Sequence, residues 1–338
     1  MNPKLHGWLA TARIANVPSV ISNVWLGIAL GAWVCGAQDT RGLLLKGAVL
    51  ALSGVLLYIG GNFFNDWHDR EWDAKHRPER ALPSGLFTPL SYQLRAIRFI
   101  GLGVIFAFLM GWPCAVAAGA IAVLIVIYTR WHKKAVWPVI PMGLCRALLP
   151  VLGFLSVVMK DGHLDTFAMA RQLLAHDDRA FVMHDAHALT LRAVGIIALH
   201  AAGLFCYIVG LSLNARYESV PNPPALPRQI ARILIFMPLV FIGGFWLPRD
   251  PIFTLAGAVP FLAWTIPLLV RRHSVQVTVS GFLAGIPLVE WIAAFPIAMA
   301  LVPAGNTLWA HPVLVNTVVL PALAFMTGRR LQAVASAT

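Results

Sequence analysis

Residues 60–85 read GGNFFNDWHDREWDAKHRPERALPSG, and their acidic groups recur at helical spacing. At 100° per residue, Asn62, Asp66, Asp69 and Asp73 fall within an arc of about 60°. Three carboxylates and an amide on one face at the end of a helix are an unfavourable arrangement. The last turn already carries partial negative charge on its free carbonyls, and like charges one turn apart repel. A hard cation among the oxygens would offset both terms. No Cys and few His lie nearby, which argues against zinc or copper, whereas Mg²⁺ takes a few carboxylates and completes its shell with water or phosphate oxygens. Lys75, Arg77 and Arg80 follow directly and suit the phosphate, and Pro78 and Pro83 end the helix and shape the loop. A solvated loop of mixed charge is the alternative, but it gives no reason for three Asp to share so narrow an arc.

The element that must carry this face is apolar. LLLKGAVLALSGVLLYI runs directly into it, and the chain as a whole is 59% hydrophobic and 12% charged, with a mean hydropathy of +0.74. A water-soluble domain carries about twice that charged fraction. Apolar runs long enough to cross about 30 Å of hydrocarbon as helices recur along all 338 residues. The expectation is an all-α, polytopic membrane bundle in one domain over 1–338. Its spans fall near 17–36, 43–65, 96–112, 114–130, 136–159, 191–213, 231–248, 251–270, 279–303 and 308–326. These are ten spans, or nine if the seventh and eighth, separated only by LPRDP, form one bent element.

The charges agree with this map. With the N-terminus inside, most of the 26 Lys and Arg fall on the inner side, which places both chain ends and the segment 60–85 in the cytoplasm. The net charge of +12 is then explained by the inner loops and anionic lipid headgroups, and calls for no nucleic acid. A bacterial inner membrane fits the compact loops. The first apolar run is too long for a cleaved signal and reads as a retained helix. Cys35, Cys114, Cys145 and Cys206 are too far apart for a metal site and read as small apolar side chains. The outer loop, about 160–190, contains His184 and His187, but two imidazoles without a third ligand read as a solvated loop.

NDWHDREWD, residues 65–73, and RPERALPSG, residues 77–85, resemble the first aspartate-rich motif of the UbiA-type intramembrane prenyltransferases and its continuation. The resemblance implies about nine helices around a lipid-open central cavity. It implies Mg²⁺ and the diphosphate of an isoprenoid donor at Asn65, Asp66, Asp69 and Asp73, with Arg77 and Arg80 near the phosphates. It also implies transfer of the prenyl group to a hydrophobic acceptor, by resemblance an aromatic one, within the membrane.

The family's second aspartate-rich motif is altered. The corresponding segment, YIVGLSLNARYESVPNPP at 207–224, has no Asp, and resembles the EboC-like branch of the family. Asn214 and Glu218 share a helix face, with Tyr207 on the same side, and could hold a second Mg²⁺ with a single charge. Alternatively, the second metal is lost, and the protein is a non-catalytic relative that binds or moves a lipid or hydrophobic metabolite. Arg146 and Glu290 are charges within spans. They could reach a phosphate and serve an acceptor as base, respectively, or form a structural pair. Asn23 in the first span reads as a helix–helix hydrogen bond.

Overall fold

A computed structural model describes residues 2–37, 39–160, 163–165, 169, 186–218, 225–271, 273–301 and 312–335. Helix α1, Pro3–Thr11, leads through a 3₁₀ turn at Ile14–Asn16 into α2, Val17–Cys35. Then come α3, Thr40–His68; α4, Arg70–His76; α5, Pro89–Phe108; α6, Trp112–Trp131; and α7, Val139–Val158. After a two-residue strand pair, Met159–Lys160 with His163–Leu164, the chain continues in α8, Ala186–Glu218. The remaining helices are α9, Ala225–Trp246, with a π-turn at Leu239–Gly243; α10, Pro251–Val270; α11, Val275–Ala284; α12, Ile286–Leu301; and α13, Pro312–Gln332. Among the described residues, nine helical stretches are long and apolar enough to cross a membrane. The protein is an all-α integral membrane bundle.

The seventh and eighth expected spans are separate helices. The Asp250 carboxylate accepts the Phe253 backbone N–H at 3.2 Å, and Pro251 occupies the first helical position, so LPRDP is a turn with a capped restart. Most of the outer loop 160–190 lies outside the described residues.

Two glycines bring α2 and α7 together. A Cβ on Gly27 would collide with the Pro150 carbonyl, and one on Gly153 with the Val24 carbonyl. Backbones approach this closely only where side chains are missing, as is common between helices in lipid. Glycines likewise open α3 to α5: a Cβ on Gly60 would meet Ile100, and one on Gly103 would meet Leu57. Hydrogen bonds from Asn16 to Tyr58 and from Asn62 to the Ala12 carbonyl tie the start of α2 to the end of α3, and Lys133 in the α6–α7 loop lies beside the same end of α3.

Candidate functional site

Helix α3 continues past His68 with only a local break. Asp69 has φ −84° and ψ 0°, yet its N–H still bonds the Asn65 carbonyl at 2.9 Å, and the Asp73 N–H bonds the Asp69 carbonyl at 2.8 Å. The face expected from helical spacing therefore runs unbroken from Asn62 to Asp73.

The carboxylates on that face are not in bulk water. Side-chain exposure is 13% for Asp66, 4% for Asp69 and 2% for Asp73, which excludes the solvated mixed-charge loop. Each faces basic groups from other elements. Asp66 Oδ1 lies 3.6 Å from Arg80 Nη1 and 3.9 Å from Arg13 Nη2. Asp69 Oδ2 lies 3.0 Å from both His132 Nε2 and Lys133 Nζ, and Asp73 Oδ2 accepts from Arg80 Nη1 at 2.8 Å. Lys133 also stands 3.8 Å from Asp73 Oδ1 and 3.7 Å above the Trp72 ring centre. Burial alone would push the Asp69 carboxyl up. The hydrogen bonds and charges of His132 and Lys133 outweigh that and hold it below the usual carboxylate range.

This corrects the sequence argument that the acids tolerate one another only through a cation between them. Side chains of the link after α1, the α4–α5 loop and the α6–α7 loop already neutralise them. The fit to a hard cation rests instead on oxygens left over. Asn65 Oδ1, Asp66 Oδ1 and Asp73 Oδ1 are buried and have no hydrogen-bond partner. All three are hard acceptors of the kind Mg²⁺ takes. They are spread along the helix, and among the described residues no three His, Cys, Asp or Glu gather at one point.

The same end of the bundle holds a chamber of about 450 Å³, well within the range of small-molecule sites. Its inner walls are apolar, with Leu57, Ile121, Ile125, Leu149, Ile208 and Ile286. Toward its mouth stand Arg13, Asn62, Asn65, Arg77, Arg80, His132 and Arg216. Arg146, Tyr58 and Asn16 also line it, and among the described residues no carboxylate does. Asp66, Asp69 and Asp73 stand behind Arg13, Arg80 and His132, which do reach the wall.

The residues singled out in the sequence divide accordingly. Asn62, Asn65, Arg77, Arg80 and Arg146 line the chamber. Lys75 instead lines a second depression of about 410 Å³ beside it, with Asp69, Trp72 and Lys133. Tyr207 does not face the chamber. Its hydroxyl donates to the Phe282 carbonyl at 2.9 Å within the core, so its expected place in the substrate site is corrected. Asn214 is buried on α8 close to the wall residues Ser212, Ala215 and Arg216. Glu218 ends α8, and its side chain lies outside the described residues. Arg146 and Glu290 are not in direct contact, although each lies within the field of the other. Arg146 Nη2 donates to Ser19, and Glu290 accepts from Ser22 and Asn23, so α2 holds each of them separately. Asn23 makes a helix–helix hydrogen bond, to that carboxylate.

Sequence reasoning missed Arg13, His132 and Lys133. Arg13 is the one non-glycine residue with positive φ among those described, at 46°, and its Nη1 donates to Asn62 Oδ1 at 3.0 Å. The backbone strain there, of order 1–3 kcal/mol, is held in place by that contact and points to a functional position. The signal available in sequence was shared sidedness: Arg13, His132 and Lys133 all fall in inner segments of the span map.

Residues 24–206 match the sequence model of the UbiA prenyltransferase family. Among curated relatives, digeranylgeranylglyceryl phosphate synthase of Methanopyrus kandleri is 34% identical over 109 residues, covering 32% of this chain and 38% of that protein. The 1,4-dihydroxy-2-naphthoate octaprenyltransferase of Haemophilus influenzae is 33% identical over 89 residues, covering 25% of this chain and 28% of that protein. The chain therefore matches well under half the length of these relatives. A solved UbiA homolog from Archaeoglobus fulgidus, bound to DMAPP and Mg²⁺, aligns over 96% of this chain and 99% of that one, with 16% identity and a TM-score of 0.44.

Proposed function

Because this chain belongs to the UbiA prenyltransferase family, we propose that it transfers a prenyl group from an isoprenoid diphosphate to a hydrophobic acceptor inside the membrane, with Mg²⁺ at Asn65, Asp66, Asp69 and Asp73. The observation that carries this reading is the set of buried acceptor oxygens without a hydrogen bond, Asn65 Oδ1, Asp66 Oδ1 and Asp73 Oδ1, the last two facing cationic groups only at 3.6–3.9 Å, beside an arginine-lined mouth opening on an apolar chamber.

Bound there, Mg²⁺ would supply Lewis-acid charge to a leaving group that departs with several negative charges. The chain's own residues do the rest. Arg13, Arg77 and Arg80 present guanidinium groups to the diphosphate oxygens at the mouth, where fork-shaped donors bind phosphate well. Arg80, 2.8 Å from Asp73 and 3.6 Å from Asp66, would also be within reach of the diphosphate at the mouth, and Asp66 and Asp73 would then hold the ion. Lys133 and His132 keep Asp69 ionised. The apolar walls take the first units of the prenyl chain and keep water from the carbon that reacts. The rings of Tyr58 and Tyr128 line the same space and offer faces that favour a developing allylic cation. Loss of the acceptor's proton completes the transfer. Asn214 and Glu218 are proposed to support a second ion at the end of α8. The site end faces the cytoplasm in this reading, in a bacterial inner membrane with both chain ends inside.

A second reading is favoured by residues 207–224, which contain no Asp. A site with a single full set of acidic ligands could bind a prenyl lipid or hydrophobic metabolite without turnover. Purified protein in nanodiscs, given Mg²⁺, labelled farnesyl or geranylgeranyl diphosphate and a panel of acceptors, separates the two. Pyrophosphate release that Asp66→Asn and Asp69→Asn abolish supports transfer. Mg²⁺-dependent binding without release supports the carrier.

A further inference from the structure

The second depression, about 410 Å³, lies on a different flank from the acidic face. At 100° per residue, Trp72 and Lys75 are turned about 100° and 160° away from Asp73. Lys75 and His76 of α4 form one side of it, and Arg130 and Lys134, at the end of α6 and just beyond, form the other. Trp72 stands between them, its ring stacked on His76 at 4.1 Å and capped by Lys133 Nζ at 3.7 Å.

The charges on this flank do not cancel. Its two carboxylates are already answered: Asp69 by His132 and Lys133, each at 3.0 Å, and Glu71 by Arg70 at 3.2 Å. Lys75, Arg130 and Lys134 have no acidic partner among the described residues. A second observation comes from the wall shared with the chamber. Thr129 is 1% exposed and lines both spaces, yet its Oγ1 has no hydrogen-bond partner. A buried hydroxyl left in this way marks a place for a ligand oxygen.

Three free cations and a hydroxyl suit a phosphate, and the surroundings say which kind. Val123 and Val126 are exposed on α6, and Val126 is one turn before Arg130 on the same face, so an apolar row runs directly into the cations. Exposed Trp131 and Trp137 pack at 5.7 Å beside them, and Arg130 lies 5.4 Å over the Trp131 ring. Tryptophans at the end of a span mark the headgroup level of the bilayer. A free diphosphate makes no use of such a row, whereas acyl chains lie along it.

We propose that this depression binds the phosphate of an anionic glycerophospholipid from the adjoining leaflet. Arg130 and Lys134 take the phosphate from the α6 side, Lys75 takes it from the α4 side, and Thr129 donates to it. The acyl chains follow Val126 and Val123 along α6. The bound lipid thereby ties α4 to the end of α6, beside the Lys133 that holds Asp69. The proposal does not depend on the prenyl-transfer reading.

The test is native mass spectrometry of the full chain in detergent and EDTA, with equimolar phosphatidylglycerol and phosphatidylcholine of the same acyl chains. The wild type should retain phosphatidylglycerol about tenfold more strongly. The triple variant Lys75→Gln, Arg130→Gln, Lys134→Gln should lose the preference. The control Arg228→Gln, Arg232→Gln, which removes exposed cations elsewhere, should keep it. Thr129→Val should weaken phosphatidylglycerol retention severalfold without lowering the thermal midpoint, because the hydroxyl has no partner within the protein. Equal retention of the two lipids by the wild type overturns the proposal. So does an equal loss in the triple and control variants, which would mean attraction to positive charge at large. Inorganic pyrophosphate at the concentration of the lipid should leave the retained lipid in place. Displacement at that concentration would assign the cations to a free diphosphate and overturn the lipid site. With no Mg²⁺ and no prenyl diphosphate present, each of these outcomes is separate from the fate of the prenyl-transfer reading.

Discussion

Asp73 has only 2% of its side chain exposed, and its closest cation is Arg80. A buried carboxylate that loses its partner costs far more than the pair contributes, about 3 kcal/mol or more. Arg80→Ala should therefore lower the thermal midpoint of the detergent-solubilised protein clearly, and Arg80→Lys should lower it less. An unchanged midpoint in the alanine variant would mean that Lys133 alone suffices. Arg13 gives a second prediction, because its backbone and side chain can be separated. At φ 46° a glycine is unstrained, so Arg13→Gly removes the donor to Asn62 and one of the two cations beside Asp66 without adding backbone strain, and Arg80 at 3.6 Å keeps Asp66 paired, so the variant should still fold. Binding of a prenyl diphosphate should fall about tenfold or more in that variant. Unaltered binding would take Arg13 out of the diphosphate site.

At the scale of elements, the part of the site that periodicity controls was legible. The face from Asn62 to Asp73 follows from 100° per residue alone, and the helix continues through Asp69 as that spacing requires. Partners that arrive from elsewhere in the chain were not legible. The three acids suggested a missing cation because the sequence does not say that His132 and Lys133, just after α6, come to lie beside Asp69, or that Arg80 folds back seven residues onto Asp73. Tyr207 failed for the same reason. Its period matches Asn214, but a carbonyl of α11 takes its hydroxyl. The helix contacts that create this geometry are testable. Gly27→Val and Gly153→Val should each force α2 from α7, with a cost of about 1–3 kcal/mol or more, and loosen Arg146 from Ser19. Gly101→Ala in α5 is the control. Nothing lies within 4 Å of the new methyl, and alanine favours the helix, so stability should hold or rise. Equal effects at Gly27 and Gly101 would contradict the close α2–α7 contact.

At the scale of the whole molecule, the fold class was readable from composition, since nothing but helices in lipid accommodates so many apolar runs. The sidedness is a further consequence. The segments that meet at the site, near residues 13, 75 and 133, should share one face of the membrane, with Lys160 and Arg249 on the other. Single cysteines introduced at Lys75 and Lys160 in a variant lacking the native four should label from opposite sides with an impermeant maleimide. Labelling from one side would break the map. The most direct check on the account is the Mg²⁺ dependence of binding an unreactive prenyl diphosphate analogue, farnesyl thiolodiphosphate, to wild type, Asp66→Asn and Asp69→Asn in nanodiscs. Affinity should rise about tenfold or more with Mg²⁺ in the wild type, and that gain should vanish in both variants. The same affinity in EDTA as in Mg²⁺, or a gain that survives both substitutions, would contradict the claim that this acidic face holds the metal and the diphosphate.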